Sequence, residues 1–299
     1  MKKMSIGIGG LLAAALVWYL FIKPYDYRVS FTVRTFPGAV NQTIKGWAVT
    51  LDSSEIVSRE DLNQLDQKLQ FPDSLHLYHW DIEALTDSTS LVRVYARDED
   101  HSLMNKLRIP FYDTDFEKRT RKMLLDFNSV LSQHIKEFKV TVVGEEELPS
   151  TYCACTSLSG TQFEKAHGMM QDYPLLGSVL VDNGVQLNGP PFIEIKDWDM
   201  KTDSIKYEFC YPIIRSENLP QHPDLKYRRL FSKKAIKAVY NGNYITSDRA
   251  WYALLTYAKN KGLSVTGLPI EVFYSNPNLG GDAMQWEADI YMPLKETNE

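Results

Sequence analysis

The chain has 299 residues, 44% hydrophobic and 24% charged, with a formal net charge of −5. That length allows two domains with separate cores, and the balance is that of a globular protein, which excludes a disordered or fibrous chain. The charge argues against a polyanion partner spread over the whole surface, and three cysteines are too few for a disulfide framework.

The N-terminus is the exception to ordinary globularity. From Ser5 to Ile22 there is no charged residue. Such a run makes about 27 Å of helix at ~1.5 Å per residue, close to the roughly 30 Å of a hydrocarbon core. A cleavable signal peptide with Ala13-Ala14-Ala15 as its cleavage region is the rival reading. Against it, the apolar run continues from Leu16 to Ile22. The expected element is an uncleaved transmembrane helix within residues 1–24, giving a single-pass cell-membrane protein. Lys2 and Lys3 favour a cytoplasmic tail and soluble domains outside, whereas Lys23, Arg28 and Arg34 pull the other way. Gly7-Ile8-Gly9-Gly10 is not a nucleotide loop, because no strand precedes it.

After the anchor, Tyr27 to Val33 alternates as a strand, and a short helical pattern ends near Trp47. Residues 75 to 97 read as two strands joined by Thr86-Asp87-Ser88-Thr89. Thr114-Asp115-Phe116-Glu117 is a capping-box pattern. Phe116, Met123, Leu124, Phe127, Leu131, Ile135 and Phe138 then form one apolar stripe on a long helix. A strand, a short helix, antiparallel strands and a long closing helix resemble the START-like (SRPBCC) family over residues 25–145. The resemblance implies a curved sheet gripping the helix around an apolar cavity. A filled core is the alternative.

"VGEEELPS", residues 143–150, reads as an acidic linker. Beyond it the pattern occurs twice. "STYCACTS", a helical stretch over 161–182, "GPPFIEI" and "IKYEFCYPI" are followed by "KAIKAVYNGNY", "SDRAWYALLTYAKNKG", "GLPIEVF" and "WEADIYMPL". The second helix is capped at Ser247 or Asp248 and stopped by Gly262. Two βαββ units in tandem explain this order. Cys153 and Cys155 share one strand face, a poor geometry for bridging each other. A bond from one of them to Cys210 and buried free thiols are the two readings.

The motifs Gly242-Asn243-Tyr244, Gly267-Leu268-Pro269-Ile270-Glu271-Val272-Phe273 and Asp289-Ile290-Tyr291-Met292-Pro293-Leu294 resemble the GyrI-like family of effector-binding domains, SOUL-like in fold, over residues 150–295, which places a domain of that kind at residues 146–299. One departure is Phe273, where the family usually has tyrosine. The resemblance implies a pseudo-twofold pair of βαββ units with a ligand cleft between them, and an acid facing that cleft which attracts cationic aromatic ligands. By position that acid is Glu271. A carboxylate withdrawn from water costs several kcal/mol unless paired, and no fixed cation is evident nearby in the sequence. A cationic ligand would lower the cost, with ring contacts adding roughly 0.5–2 kcal/mol each. The expected ligand residues are Glu271, Phe273, Tyr244, Trp251 and Trp286. The plainer readings are an acid hydrogen-bonded to a hydroxyl, Trp251 and Trp286 as core, and Glu287 and Asp289 in solvent.

His76 and His79 are wrongly spaced for a metal pair on one strand face. No metal cluster, cofactor loop or Gly-x-Ser-x-Gly pattern is apparent, so no metal and no cofactor are expected. "KRTRK", residues 118–122, reads as a solvated helix face. The basic run at 226–237 reads as a solvated edge strand, with anionic lipid headgroups or an anionic ligand as its alternative partners. No helix-turn-helix accompanies the effector-like domain, so no nucleic-acid partner is expected. The sequence therefore predicts an α+β chain with a transmembrane helix, a START-like helix-grip domain and a duplicated βαββ domain. Its expected role is a membrane-anchored binder of a lipophilic, possibly cationic small molecule. The alternative is a hydrolase of electrophilic compounds with Glu271 as general base.

Overall fold

A computed structural model describes residues 2–59 and 61–296. Met1, Glu60 and residues 297–299 lie outside the described part, as do the Lys2 and Lys3 side chains that bear on the predicted orientation. The chain divides into two compact units, residues 1–133 and 134–299. Both are built on antiparallel sheets, which makes the fold mixed α/β.

The transmembrane element of the expected fold class is overturned. Helix α1 (Lys2–Val17) is 16 residues long and gives way to a π-helical turn at Trp18–Ile22. Sixteen residues span about 24 Å, and among the described residues no helix is long and apolar enough to cross a membrane. The single-pass localisation falls with it. The last turn is also tied to protein. The Tyr19 hydroxyl donates to the Lys106 carbonyl at 3.1 Å, and the buried Lys106 ammonium donates to the carbonyl oxygens of Lys23 at 2.5 Å and Leu20 at 3.4 Å.

The first unit continues with β1 (Tyr27–Val33), α2 (Pro37–Val49), β2 (Ser54–Arg59), β3 (Gln64–Phe71), β4 (Ser74–Thr86), β5 (Thr89–Asp98), α3 (Ser102–Arg108) and α4 (Asp115–His134). Its sheet runs β1-β5-β4-β3-β2. The strict alternation of β4 buries Ser74, His76, Tyr78, Trp80 and Ile82 on one face. Trp47 of α2, Trp80 of β4 and Phe127 of α4 meet there with ring centroids 4.9–6.3 Å apart. Trp80 Nε1 donates to Gln67 Oε1 at 3.0 Å, and Trp47 Nε1 to Asp126 Oδ2 at 2.8 Å. These rings pack between α2, α4 and the sheet.

The capping box forms. Glu117 N donates to Thr114 Oγ1 and Thr114 N to Glu117 Oε2, each at 3.2 Å. Thr114→Ala is expected to cost about 1 kcal/mol, read as a lower urea midpoint for the first unit. An unchanged midpoint would show that packing alone sets the start of α4.

The second unit comprises β6 (Phe138–Leu148), β7 (Thr151–Thr161), α5 (Lys165–Val181), β8 (Phe192–Asp199), β9 (Ser204–Pro212), β10 (Lys226–Leu230), β11 (Lys233–Gly242), α6 (Arg249–Lys261), β12 (Ile270–Phe273) and β13 (Glu287–Pro293). Its sheet order, β10-β7-β9-β8-β12-β13-β11-β6, is symmetric about the β8–β12 seam. β7-α5-β8-β9 and β11-α6-β12-β13 are the two βαββ repeats. Each also receives an outer strand from the other's side, since β6 precedes the first repeat but pairs with β11, and β10 precedes the second but pairs with β7.

The stretch predicted as a linker therefore belongs mostly to β6. Its acids lie along the basic run of β11, with Glu147 opposite Lys234 and the Lys237 ammonium 3.4 Å from Glu146. Other members of that basic run bind acids of the same domain. Arg228 reaches Glu194 and Glu208, and Lys233 reaches Glu194. Cys155 of β7 and Cys210 of β9, directly opposite in the sheet, form a disulfide, and Cys153 is a buried free thiol.

Candidate functional site

Strand β12 alternates as a half-buried strand must. Ile270 and Val272 pack on one face with Cys155, Phe192 and Cys210, while Glu271 and Phe273 point to the face that carries the helices. Glu271 is fully buried, and so is its partner Lys165, the first residue of α5. The Lys165 ammonium donates to Glu271 Oε1 at 2.7 Å and to Ser247 Oγ at 2.6 Å. Trp251 Nε1 of α6 donates to the same Oε1, and the Ser247 hydroxyl donates to Oε2 at 2.6 Å. Lys165 also lies 4.7 Å from the centroid of the Trp251 ring. A buried ion pair persists only when the remaining donors and acceptors are satisfied, and these contacts meet that condition. The carboxylate that the sequence left without a fixed cation has one, 106 residues earlier in the chain.

Next to this pair lies a cavity of about 360 Å³. Its rings are Tyr173 of α5, Phe209 and Tyr211 of β9, Tyr244, Phe273 of β12, Tyr274 and Trp286. Tyr244 stands 4.8 Å from Phe273 and 5.9 Å from Trp286, centroid to centroid, and Tyr173 stands 6.0 Å from Tyr211. The loop between β12 and β13 forms one wall, reversing at Gly280 and Gly281, whose φ values of +74° and +100° suit glycine. Tyr244 anchors that wall, since its hydroxyl donates to the Glu287 carbonyl at 2.6 Å and accepts from Ser275 N at 3.1 Å. No residue lining the cavity is charged.

Of the five predicted ligand residues, Tyr244, Phe273 and Trp286 line the cavity, whereas Glu271 and Trp251 do not. Trp251 is core and serves Glu271 as a donor. The sequence reading missed Lys165 and the lining rings Tyr173, Phe209, Tyr211 and Tyr274. One signal pointed to Lys165: α5 and α6 occupy equivalent places in the two repeats, and both begin with a cation, Lys165 and Arg249.

The sequence over residues 147–295 matches the family model described as the GyrI-like small molecule binding domain. That half of the chain is GyrI-like. No curated protein matches the sequence. Among solved structures, the chain is similar to the EcmrR C-terminal domain at 16% identity, covering 54% of this chain and 99% of that one, with a TM-score of 0.44. It is also similar to SAV2435 bound to tetraphenylphosphonium, at 14% identity, 53% and 94% coverage and a TM-score of 0.36. A hydrolase from Listeria innocua aligns at 9% identity, 51% and 92% coverage and a TM-score of 0.34. The GyrI-like assignment makes this half of the chain a small-molecule binding domain.

Proposed function

We propose that the GyrI-like domain binds an uncharged, lipophilic aromatic small molecule in the ring-lined cavity beside Glu271. One observation carries the reading: every side chain lining the cavity is uncharged, and the two buried carboxylates beside it are already paired, Glu271 with Lys165 and Asp289 with Lys237. A cationic ligand would find no unpaired acid there. A flat neutral one would gain ring stacking worth about 0.5–1.5 kcal/mol per aromatic pair beyond simple burial. The volume lies in the range of about 300–1,000 Å³ common for small-ligand pockets.

Hydrolysis with Glu271 as general base finds no support in this geometry. A base must hold its water within about 3 Å. Both Glu271 oxygens are engaged by Lys165, Trp251 and Ser247, and the side chain does not line the cavity.

The test compares a neutral dye, Nile red, with a cationic one, rhodamine 6G, by fluorescence titration of the full chain. Nile red is expected to bind more tightly, and Trp286→Ala is expected to weaken it about tenfold, the equivalent of ~1.4 kcal/mol. Tighter binding of the cation, or indifference of Nile red to Trp286→Ala, would overturn the reading.

A further inference from the structure

The first unit holds a separate cavity of about 450 Å³. It lies among the start of β4, the end of β5, α3 and the start of α4. Two polar residues of β4 that line it, Ser74 and His76, are almost wholly buried. Arg119 of α4 is held by Asp73 through two contacts, at 2.7 and 3.1 Å, and its Nη1 also donates to Ser74 Oγ at 3.1 Å. Ser74 Oγ in turn lies 3.0 Å from His76 Nε2.

The direction of that last bond follows from counting hydrogens. Arginine only donates, so the serine oxygen accepts from Arg119 and still has its own hydrogen to place. His76 Nε2 is its one side-chain acceptor among the described residues. The arrangement that places the serine hydrogen within the site has Nε2 accepting and the ring proton on Nδ1. Burial pushes the His76 pKa down to about 4, so the ring is neutral near pH 7.

His76 Nδ1 is buried and has no partner, a costly state for a donor. Asp98, opposite His76 in the sheet, does not supply one. Its Oδ1 accepts from the backbone N–H groups of Asp100 and His101, and its Oδ2 from Asn105 Nδ2. The other acids lining the cavity also have partners: Asp73 has Arg119, Asp113 has Arg121 and Asp115 has Lys118. Arg108, on the same cavity, pairs with no carboxylate among the described residues. His76 Nδ1 is thus the buried lining atom left without a partner, and the exposed Arg108 is the lining cation with no acid beside it among the described residues.

We propose that this cavity binds a small monocarboxylate, with one oxygen accepting from His76 Nδ1–H, the charge paired with Arg108, and the apolar part against Phe116 and Met104. Four lining aspartates against two arginines oppose an anion of higher charge. Phe116, edge-on to His76 with centroids 4.8 Å apart, offers the ring a carboxylate-bearing aromatic would touch.

Long-range ¹H–¹⁵N NMR of histidine-labelled full chain, titrated with benzoate, tests this. The free protein is expected to show His76 neutral with its proton on Nδ1, and millimolar benzoate is expected to shift Nδ1 saturably. Arg108→Gln should weaken benzoate about tenfold. His76→Asn, whose amide takes the place of Nδ1, should retain binding better than His76→Gln, whose amide takes the place of Nε2. A proton on Nε2 in the wild type, no saturable benzoate shift, or inorganic phosphate shifting Nδ1 at lower concentration would each overturn the proposal. The wild-type measurements decide even where a variant does not fold.

Discussion

Lys165→Met is expected to destabilise the GyrI-like domain by about 3–5 kcal/mol, the cost of leaving a buried charge without its partner. The partner is Glu271, and neither side chain touches solvent. Glu271→Gln should cost a similar amount, because it strands the ammonium instead. The double variant should recover much of the loss. In it no charge is left in the core, and the amide oxygen of glutamine still accepts from Trp251 or Ser247. Urea unfolding of the four proteins, read by near-ultraviolet circular dichroism, completes the cycle. Additive losses in the double variant would mean that the two residues stabilise the domain separately, and that Glu271 is held by its neutral donors alone.

That pair also marks where the sequence stops being readable. Local signals held. The box at Thr114 and Glu117, the alternation of β4 and the Gly262 stop of α6, with φ of +67°, each depend on residues a few positions apart. The βαββ duplication was legible for the same reason, being written in repeated turns and strand ends. Lys165 and Glu271 lie 106 positions apart, and no periodicity links them. The exchange of β6 and β10 between repeats is likewise a matter of which edges meet, so an acidic strand read as a linker. Strand β3 escaped notice because its buried face is Leu65, Gln67 and Leu69, with a polar residue at its centre that bonds Trp80. The apolar N-terminal run misled in another way. Composition reports how greasy a segment is, but not that its α-helix ends at Val17 and that the π-helical turn after it is bonded to Lys106.

Acid should destabilise the second unit, which begins at His134, over two pH windows with separate causes. Burial, aided by Arg249, depresses the His134 pKa from 6.5 to about 4, and Arg249 Nε donates to His134 Nε2 at 3.1 Å, a bond only the neutral ring accepts. The unfolded chain binds that proton first, so this contribution is lost as pH falls from 6.5 towards 4. Glu194 acts over a lower window. Burial alone would raise its pKa, but Lys196, Arg228 and Lys233, at 2.7, 2.5 and 3.1 Å, outweigh it and hold the carboxyl near 2, against 4.5 ordinarily. Its contribution is complete above pH 4.5, on the order of 3 kcal/mol by linkage, and is lost as pH falls from 4.5 to 2. Arg228→Met removes one of the three cations and moves that carboxyl back towards its ordinary value. The variant should be less stable than wild type at pH 7, and the gap between them should close below pH 4.5, as urea midpoints across the range would record. A gap of constant size down to pH 2 would place the role of Arg228 in packing rather than in holding the charge of Glu194.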